Sequence, residues 1–282
     1  MKCAWQAYIN LLPNWMRHEV DKLGRENLQE LRIRTGLKPE MILNNQIFTL
    51  SRCITTEDIT FIINVASEYS PWAAQSEKYG YITASGGHRI GICGVVSISD
   101  NNVKGITTPT SLCIRVSRDF VGIAKPLQEV SGSILIIGPP GSGKTTFLRD
   151  LIRCKSDLST GSVSVVDERE EIFPLHRGQV CFYPGRHTDI LSGTEKEHGI
   201  NSVLRCMNPE WIAVDEITNA NDCVSLLHAG WCGVNLIATA HAGSIADLRS
   251  RPVYKSLLEN KLFKNIIVLR RDKTWTYERI LQ

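Results

Sequence analysis

The stretch Gly138-Pro139-Pro140-Gly141-Ser142-Gly143-Lys144-Thr145-Thr146 decides how the rest of the chain is interpreted. It follows an apolar run, 133–137, that predicts a buried strand, and it precedes the run 147–152, which predicts the first turns of a helix. The spacing G-x-x-x-x-G-K-T between a strand and a helix is typical of a phosphate-binding loop. Glycines let backbone N–H groups curl around phosphate oxygens, and the helix N-terminus adds its dipole. We therefore expect all nine residues to contact a nucleotide.

Two side chains of this loop have the chemistry that a nucleoside triphosphate requires. The Lys144 ammonium is expected to reach the β- and γ-phosphates, and the Thr145 hydroxyl is expected to ligate Mg²⁺. A chance glycine-rich turn is the alternative, and the predicted strand and helix on either side argue against it. The chain also contains no N-K-x-D run, which favours ATP over GTP.

The overall composition is that of a globular protein. The length of 282 residues suggests one or two domains. The hydrophobic fraction of 43% and the charged fraction of 22% are ordinary for a globular protein. A net charge of +3, spread over both halves, is too small to indicate nucleic acid or an anionic membrane surface. The N-terminus lacks an apolar signal core, and no apolar run approaches the roughly 18 residues of a membrane span. Any membrane association is therefore expected to be peripheral.

The nine cysteines are scattered along the chain and contain no C-x-x-C pair. A zinc site or a disulfide framework is therefore not expected. Most of the cysteines lie in apolar runs, where we expect them to be small core residues. This usage predicts a reducing, cytoplasmic location.

Residues 1–118 predict a smaller α+β domain. Helical spacing over residues 3–29 predicts two short amphipathic helices broken at Pro13, and another helix is expected to begin near Thr55. Turns are expected at Asn44-Asn45-Gln46, Gly86-Gly87 and Asp100-Asn101-Asn102. The predicted strands around them are 31–34, 41–43, 47–50, 79–84, 88–96 and 112–116.

Residues 119–130 are predicted to be a linker, and residues 131–282 predict an α/β domain. Apolar strands alternate there with helices, which predicts a mainly parallel sheet buried on both faces. Ligands of such sheets bind at the carboxyl ends of the strands. Beyond the phosphate-binding loop, the predicted strands are 163–167, 211–214, 234–240, 266–269 and 275–280, and the predicted helices are 200–207 and 222–230.

Ionisable side chains follow several of these strands at their carboxyl ends. Asp215 and Glu216 come directly after the apolar run 212–214, and we assign Asp215 to Mg²⁺ and Glu216 to the attacking water. His241 follows the next strand and is expected to sense or stabilise the γ-phosphate. The alternatives are acidic strand ends that are only solvated and a histidine that is an ordinary surface residue. The run 191–193, Leu-Ser-Gly, lacks the second Gly and the Gln of a transport-cassette signature, so we assign it no role.

The chain resembles the type II/IV secretion ATPases in three further motifs. The run 203–217 is similar to their Walker B region, Ala238-Thr239-Ala240-His241 to their His box, and Val166-Asp167-Glu168 to their Asp box. Together with residues 82–94 and 185–189, this set resembles the stage III sporulation protein AA family of endospore-forming bacteria. The matching motifs span most of the chain, and their combination in this order is highly specific.

This resemblance implies a RecA-like ATPase domain in a cytoplasmic homo-oligomer, a hexamer, on the mother-cell side of the membrane that separates mother cell and forespore. The ATPase would serve a channel-like sporulation complex by binding a membrane protein of that complex, with no span of its own and no nucleic acid. The resemblance also implies Glu216 as the principal catalytic carboxylate, assisted by Asp167 or Glu168.

The chain departs from the secretion ATPases at three points. Asp215 stands where they usually carry Gly, Ala240 stands where they carry Leu, and the tetracysteine zinc module of some members is absent. The first departure leaves open whether Asp215 or the Asp box holds the metal. The last removes one docking surface known in that family.

Arginines from outside the ATPase core are expected to reach the γ-phosphate, because hexamers of this kind place their sites between subunits. Such an arginine is worth about 10³ to 10⁵ in rate in related phosphoryl-transfer systems. The candidates are Arg89, Arg115, Arg118 and Arg186. For each of them a surface or structural role is an equal alternative.

Two other functions compete with an ATP-hydrolysing motor. A nucleotide-gated assembly scaffold would hydrolyse ATP slowly or not at all, and the intact Lys144, Thr145, Asp215 and Glu216 argue against it. A nucleic-acid-dependent RecA-like ATPase should carry a basic stripe with interleaved aromatic residues, and the evenly spread charge argues against that. A small-molecule kinase is disfavoured because features of a lid and an acceptor site are missing. The sequence therefore predicts a motor ATPase.

Overall fold

The computed structural model describes residues 1–44, 46–68, 80–99, 102–158 and 161–280. These residues form two compact units, one of Met1–Asp119 with Leu175–Cys181 and the other of Phe120–Pro174 with the chain from Phe182 onward. The chain passes between the units three times, whereas the sequence predicts two consecutive domains joined by one linker. The domain boundaries at residues 118 and 130 stay predictions.

The first unit contains a six-stranded antiparallel sheet in the order β3-β2-β1-β6-β5-β4. Buried side chains from its helices, among them Tyr8, Met16 and Ile62, pack in one core with Leu31 and Ile33 of the sheet. The helices are Trp5–Leu11, Asn14–Gly24 and Thr56–Ala66. The strands are β1 (Leu28–Arg34), β2 (Glu40–Leu43), β3 (Gln46–Thr49), β4 (Tyr81–Ala84), β5 (His88–Ser99) and β6 (Asn102–Arg115).

Most predicted elements of the first unit are present. Two helices flank Pro13, and Thr55 with Asp58 forms a capping box at the start of the helix Thr56–Ala66. The strand predicted at 112–116 is only the end of β6, because its threonine-rich first half lacks the apolar alternation that identifies a strand. Asn45, Tyr79, Asp100 and Asn101, which belong to predicted turns and a strand start, lie outside the described residues.

His88 lies in the core of the first unit as a neutral group. The backbone N–H of Ser117 donates to its Nδ1 at 3.1 Å, so Nε2 carries the hydrogen and donates to the Ala4 carbonyl at 3.0 Å. Burial lowers the pKa of His88 from 6.5 to about 4. The folded state therefore resists protonation of this ring.

We expect this histidine to make folding stability pH-dependent. Because the folded pKa is depressed, its stabilising contribution is complete above pH 6.5 and is lost as the pH falls towards 4. The loss at pH 4 is expected to be about 3 kcal/mol of unfolding free energy. Urea unfolding of the wild type and His88→Gln at several pH values measures it. Gln keeps one donor and one acceptor but does not titrate, so an identical pH dependence in both proteins would contradict the prediction.

The second unit contains a seven-stranded sheet in the order β11-β8-β12-β13-β7-β14-β15, in which only β15 runs antiparallel to its neighbour. The strands are β7 (Ile134–Gly138), β8 (Val163–Asp167), β11 (Thr188–Ser192), β12 (Trp211–Val214), β13 (Asn235–His241), β14 (Asn265–Leu269) and β15 (Trp275–Arg279). The helices are Lys144–Leu158, Lys196–Cys206, Ala220–Trp231, Ile245–Ser250 and Lys255–Glu259, and short 3₁₀ turns cover Lys125–Leu127 and Pro252–Tyr254. A third 3₁₀ turn, Ser85–Gly87, lies in the first unit. The predicted mainly parallel sheet is therefore confirmed.

Several elements of the chain escape prediction from sequence. Strand β11 is half-buried at the sheet edge, so it lacks a continuous apolar run. The helices Ile245–Ser250 and Lys255–Glu259 are too short for a periodic signal. Strands β9 (Leu175–His176) and β10 (Gln179–Val180) form a two-residue-per-strand hairpin that belongs to the first unit.

The exposure of the cysteines differs from the prediction. The expectation that most cysteines are core residues is wrong, because Cys223 is buried while four of the nine are exposed. A short apolar run does not reveal which of its residues face the core.

None of the helices in the described ranges is long and apolar enough to cross a membrane.

Candidate nucleotide site

The phosphate-binding loop lies between β7 and the helix Lys144–Leu158, as its spacing predicts. Gly138 packs so closely that a Cβ atom there would lie 2.6 Å from Ser142 Oγ and 2.8 Å from the Leu269 carbonyl oxygen. Gly141 and Gly143 have φ values of +72° and +99°, which side chains disfavour. Glycine is therefore required at these positions for the loop to take this shape.

Lys144 lies folded over the loop and is 8% exposed. Its Nζ donates to the carbonyl oxygens of Gly138 at 3.0 Å and Pro139 at 3.2 Å. A third contact joins Nζ to His241 Nδ1 at 3.1 Å. Burial lowers the pKa of Lys144, and the negative charges of Asp215 and Glu216 act in the opposite direction. The ammonium thus sits within the glycine-rich loop, bonded to two neutral carbonyl acceptors and to the imidazole of His241.

Thr145 and Asp215 meet directly at the ends of two elements. Thr145 Oγ1 donates to Asp215 Oδ2 at 2.7 Å, and the Thr239 hydroxyl donates to Asp215 Oδ1. The described part of the chain has no cluster of three or more His, Cys, Asp or Glu that could hold a metal alone. Mg²⁺ prefers a few hard protein oxygens completed by phosphate oxygens and water. The hydroxyl of Thr145 and the carboxylate of Asp215 fit that requirement.

Glu216 has a strained backbone at the end of β12. Its φ is +45°, a conformation that costs a non-glycine residue of order 1–3 kcal/mol. Its backbone N–H donates to Thr239 Oγ1 at 2.7 Å and to Asp215 Oδ1 at 3.0 Å, which holds this geometry. A conformation of this kind persists only where surrounding contacts hold it.

The Glu216 carboxylate has two partners from neighbouring strand ends. His241 Nε2 lies 2.8 Å from Oε1, and Arg169 Nη1 lies 3.4 Å from Oε2. Because Lys144 donates to His241 Nδ1, the ring hydrogen is on Nε2 and is donated to Glu216. The sequence predicts separate roles for Lys144, His241 and Glu216, and in the structure the three side chains form one hydrogen-bonded series, Lys144–His241–Glu216.

Asp167 is 1% exposed and both its oxygens accept backbone hydrogen bonds. The donors are the N–H groups of Glu171, Ile172 and Phe173, at 2.8–3.0 Å. Burial raises the pKa of Asp167 to about 6, against the lowering effect of these bonds. The neighbouring Glu168 contacts the buried Lys196. Asp167 therefore shapes the loop after β8, and its predicted assistance to catalysis stays a prediction, as does that of Glu168.

Comparisons with known proteins identify the family. The family described as sporulation stage III, protein AA, matches residues 6–278. The stage III sporulation protein AA of Bacillus subtilis (strain 168) is 37% identical over 93% of this chain and 90% of its own length. The chain belongs to the sporulation stage III protein AA family.

Solved structures show which fold this family member has. The pilus retraction motor PilT, solved with bound ADP, has a TM-score of 0.63 at 16% identity and covers 94% of this chain and 81% of its own. The Legionella pneumophila ATPase DotB has a TM-score of 0.57 at 16% identity, covering 95% of this chain and 80% of its own. At this identity the likeness concerns the fold, and it confirms the RecA-like class.

The four candidate arginines of this family member have different surroundings. In the first unit, Arg118 Nη1 donates to the Leu28 carbonyl at 2.5 Å, and burial lowers its pKa. Arg89 stacks over the Tyr81 ring at 4.0 Å. Arg115 lies 3.9 Å from Glu30, with a side chain 63% exposed. In the second unit, Arg186 is exposed on the surface. None of these contacts tests a role at the γ-phosphate.

A pocket that the sequence does not predict lies beside the phosphate-binding loop. It has a volume of about 440 Å³ and lies entirely within the second unit. Trp275 of β15 packs edge-on against Phe147 at 5.5 Å between ring centres. The Ser142 hydroxyl is buried and has no hydrogen-bond partner among the described residues. The other lining residues are Phe120, Ile123, Gly143, Thr146, Leu269 and Lys273.

The signal for this pocket was absent from the local sequence. Trp275 and Lys273 lie about 130 positions after the loop and look like ordinary residues of a closing hairpin. They reach the loop because β14 pairs with β7 and β15 pairs with β14. Lys273 Nζ donates to the Gly141 carbonyl, which fixes the hairpin turn against the loop. The side of the pocket formed by Lys273 and Trp275 therefore depends on the strand order, which cannot be derived from the local sequence.

Proposed function

We propose that this protein is an ATP-hydrolysing motor of the secretion-ATPase type. The observation that carries the proposal is the continuous network at the phosphate-binding loop. Lys144 contacts His241, His241 contacts Glu216, and Thr145 contacts Asp215, so the predicted phosphate, metal and water-activating groups lie in one place. The membership in a sporulation family and the RecA-like fold support the same function.

The proposed mechanism assigns each group one task. The loop amides and Lys144 bind the β- and γ-phosphates, and Lys144 exchanges its carbonyl and imidazole partners for phosphate oxygens. Mg²⁺, held by Thr145 and Asp215, would neutralise charge on the phosphate oxygens. Glu216 accepts a proton from the attacking water, and the Nε2–H of His241 orients the carboxylate. Movement of Lys144 away from His241 would report that a phosphate is bound.

The pocket beside the loop supports a nucleoside as the remainder of the ligand. Its walls are largely apolar and aromatic, and it begins at Ser142 and Gly143 of the loop itself. Aromatic side chains stack on nucleobases regardless of base identity. ATP bound through its phosphates at the loop therefore has a site for its base against Trp275.

Trp275→Ala is expected to weaken ATP binding by about 5- to 150-fold, because stacking a base on an aromatic ring is worth about 1–3 kcal/mol. Binding of inorganic tripolyphosphate, which uses the loop alone, should change less than threefold. Trp275→Phe preserves an aromatic wall and should recover most of the affinity. Trp231→Ala, at a residue 71% exposed elsewhere, is the matched control. Equal affinity of wild type and Trp275→Ala for ATP would contradict this placement of the base.

The motor is further proposed to act as a hexamer in the cytoplasm, on the mother-cell side of the membrane facing the forespore. There it would bind a membrane protein of a channel-like sporulation complex, without using nucleic acid. Closure and opening of its domains would transmit work to that partner. A scaffold with little turnover remains the alternative function, and measured turnover separates the two.

One of the variants Arg89→Ala, Arg115→Ala, Arg118→Ala and Arg186→Ala is expected to abolish turnover while leaving ATP affinity unchanged. A neighbouring subunit's arginine would stabilise charge in the transition state, an effect of about 10³ to 10⁵ in related systems. Because Arg118 bonds to a backbone carbonyl, the thermal stability of its variant must be measured in parallel. Four variants with wild-type turnover would refute the assignment.

A further inference from the structure

Lys196 is a buried cation beside the candidate site that the proposed mechanism does not use. It is the first residue of the helix Lys196–Cys206, and its side chain is 4% exposed. Its Nζ contacts Glu168 Oε2 and lies 3.8 Å from Asp222 Oδ2. Lysine is seldom buried unless it is paired, and here it is paired with carboxylates from two different elements.

The position of Lys196 in its own helix is unfavourable. The positive end of the helix dipole lies at the N-terminus, where a cation is destabilising. The residue before it, Glu195, makes no side-chain capping bond. One turn later, a Cβ at Gly199 would meet Val166 Cγ1 at 2.4 Å, so glycine lets this helix approach β8 closely. Local helix stability does not explain why a buried lysine occupies position 196. The pairing of its ammonium with Glu168 and Asp222 does explain it.

The two partners of Lys196 lie close in sequence to the acidic residues that follow β8 and β12. Glu168 directly follows β8 and lines the same small depression as Asp215, Glu216 and Lys196. Asp222 lies in the first turn of the helix Ala220–Trp231. One ammonium therefore contacts the segment after β8 and the helix that follows the Glu216 segment.

Asp222 holds the chain that carries Glu216. Its Oδ2 accepts from the backbone N–H of Thr218 at 2.8 Å and from the Thr218 hydroxyl at 3.1 Å. Thr218 is two residues after Glu216, whose strained backbone needs support from its surroundings. A charge that fixes Asp222 also fixes this turn.

We propose that Lys196 is a positioning residue for ATP hydrolysis, joining Glu168 to the Glu216 turn through Asp222 and Thr218. The inference rests on the proposed function. Without the ammonium, the buried Asp222 and the partly exposed Glu168 lose their counter-charge and repel the acidic groups beside them. The Glu216 turn then loses its fixed position, while the phosphate-binding loop, which does not contact Lys196, still binds ATP.

The test separates binding, turnover and folding in Lys196→Met, Asp222→Asn and the double variant. Lys196→Met is expected to lower kcat by about 30-fold, by analogy with the 10- to 100-fold losses that follow removal of groups that orient metal ligands. Asp222→Asn keeps an acceptor for Thr218 but removes the charge, so a smaller loss is expected. The double variant should be no slower than Lys196→Met, because both substitutions remove the same Lys196–Asp222 ion pair and their effects should therefore not add. Dissociation constants for fluorescent ATP should stay within threefold of wild type.

Two further variants make the outcome decisive. Lys196→Arg keeps the charge and should recover most of kcat, and Lys255→Met, at a side chain 73% exposed, should change nothing. All rates are measured where circular dichroism shows each variant fully folded. Unchanged kcat in Lys196→Met, or parallel loss of kcat, affinity and thermal stability, would overturn the positioning role. A wild type without ATP turnover would instead refute the proposed function, and this inference with it.

Discussion

Replacing Glu216 by Gln is expected to lower ATP turnover by about 10²- to 10⁴-fold, the usual contribution of a general base. Gln has nearly the same size, and its carbonyl oxygen can accept from one of the two donors, His241 Nε2–H or Arg169. Its amide cannot accept a proton from water. The structure gives this side chain a fixed position at 2.8 Å from His241 Nε2. ATP affinity should remain within a few-fold of wild type, because the phosphates are bound by the loop.

Single-turnover hydrolysis and equilibrium binding of fluorescent ATP measure the two effects separately. Glu259→Gln is a suitable control, since its side chain is 63% exposed and pairs only at the surface with Lys255. If Glu216→Gln hydrolyses ATP at the wild-type rate, Glu216 is not the base. If it loses binding and turnover together, the carboxylate supports the shape of the site and the proposed division of roles is wrong.

Replacing Lys144 by Ala is expected to weaken binding of both ATP and tripolyphosphate by about 100-fold, since a hydrogen bond to a charged group contributes up to about 3 kcal/mol. The ammonium lies among loop carbonyls where the phosphates are expected, and no other side chain of the loop is cationic. Turnover should fall below detection at ordinary ATP concentrations. Loss of tripolyphosphate binding distinguishes this variant from Trp275→Ala, which should lose affinity for ATP only.

Isothermal titration with ATP and with tripolyphosphate checks this expectation. Lys255→Ala removes an exposed lysine and is the control for a change in net charge. Since Lys144 is buried and contacts three groups, thermal unfolding of the variant should be recorded to show that the loop domain is folded. A folded Lys144→Ala protein that binds tripolyphosphate as tightly as wild type would remove Lys144 from the phosphate site.

The arrangement of the loop was accessible from sequence because its parts are adjacent in the chain. The spacing of Gly138, Gly143 and Lys144 specifies strand, turn and helix together. Asp215 was accessible for a different reason: it follows an apolar strand, and the carboxyl ends of parallel strands meet at one edge. The structure places it 2.7 Å from Thr145, although the chemical roles of both remain predictions.

Other members of the site depend on which strands are neighbours. Thr239 bonds to Asp215 and Glu216 because β13 lies beside β12, and no local pattern marks this threonine within an apolar strand. The sequence assigns no role to Lys196, because the predicted helix 200–207 begins after it and a lysine just before a helix is normally solvated. Its burial follows from the close approach of Gly199 to β8, a contact between distant parts of the chain.

The measurement that tests the central proposal most directly is Mg²⁺-dependent ATP turnover against protein concentration, with molecular mass determined in the same samples. The proposal predicts turnover that requires Mg²⁺, rises as the protein assembles into a ring and disappears in Glu216→Gln. A protein that binds ATP but hydrolyses none of it, at every concentration and in every assembly state, would contradict the motor function and favour the nucleotide-gated scaffold.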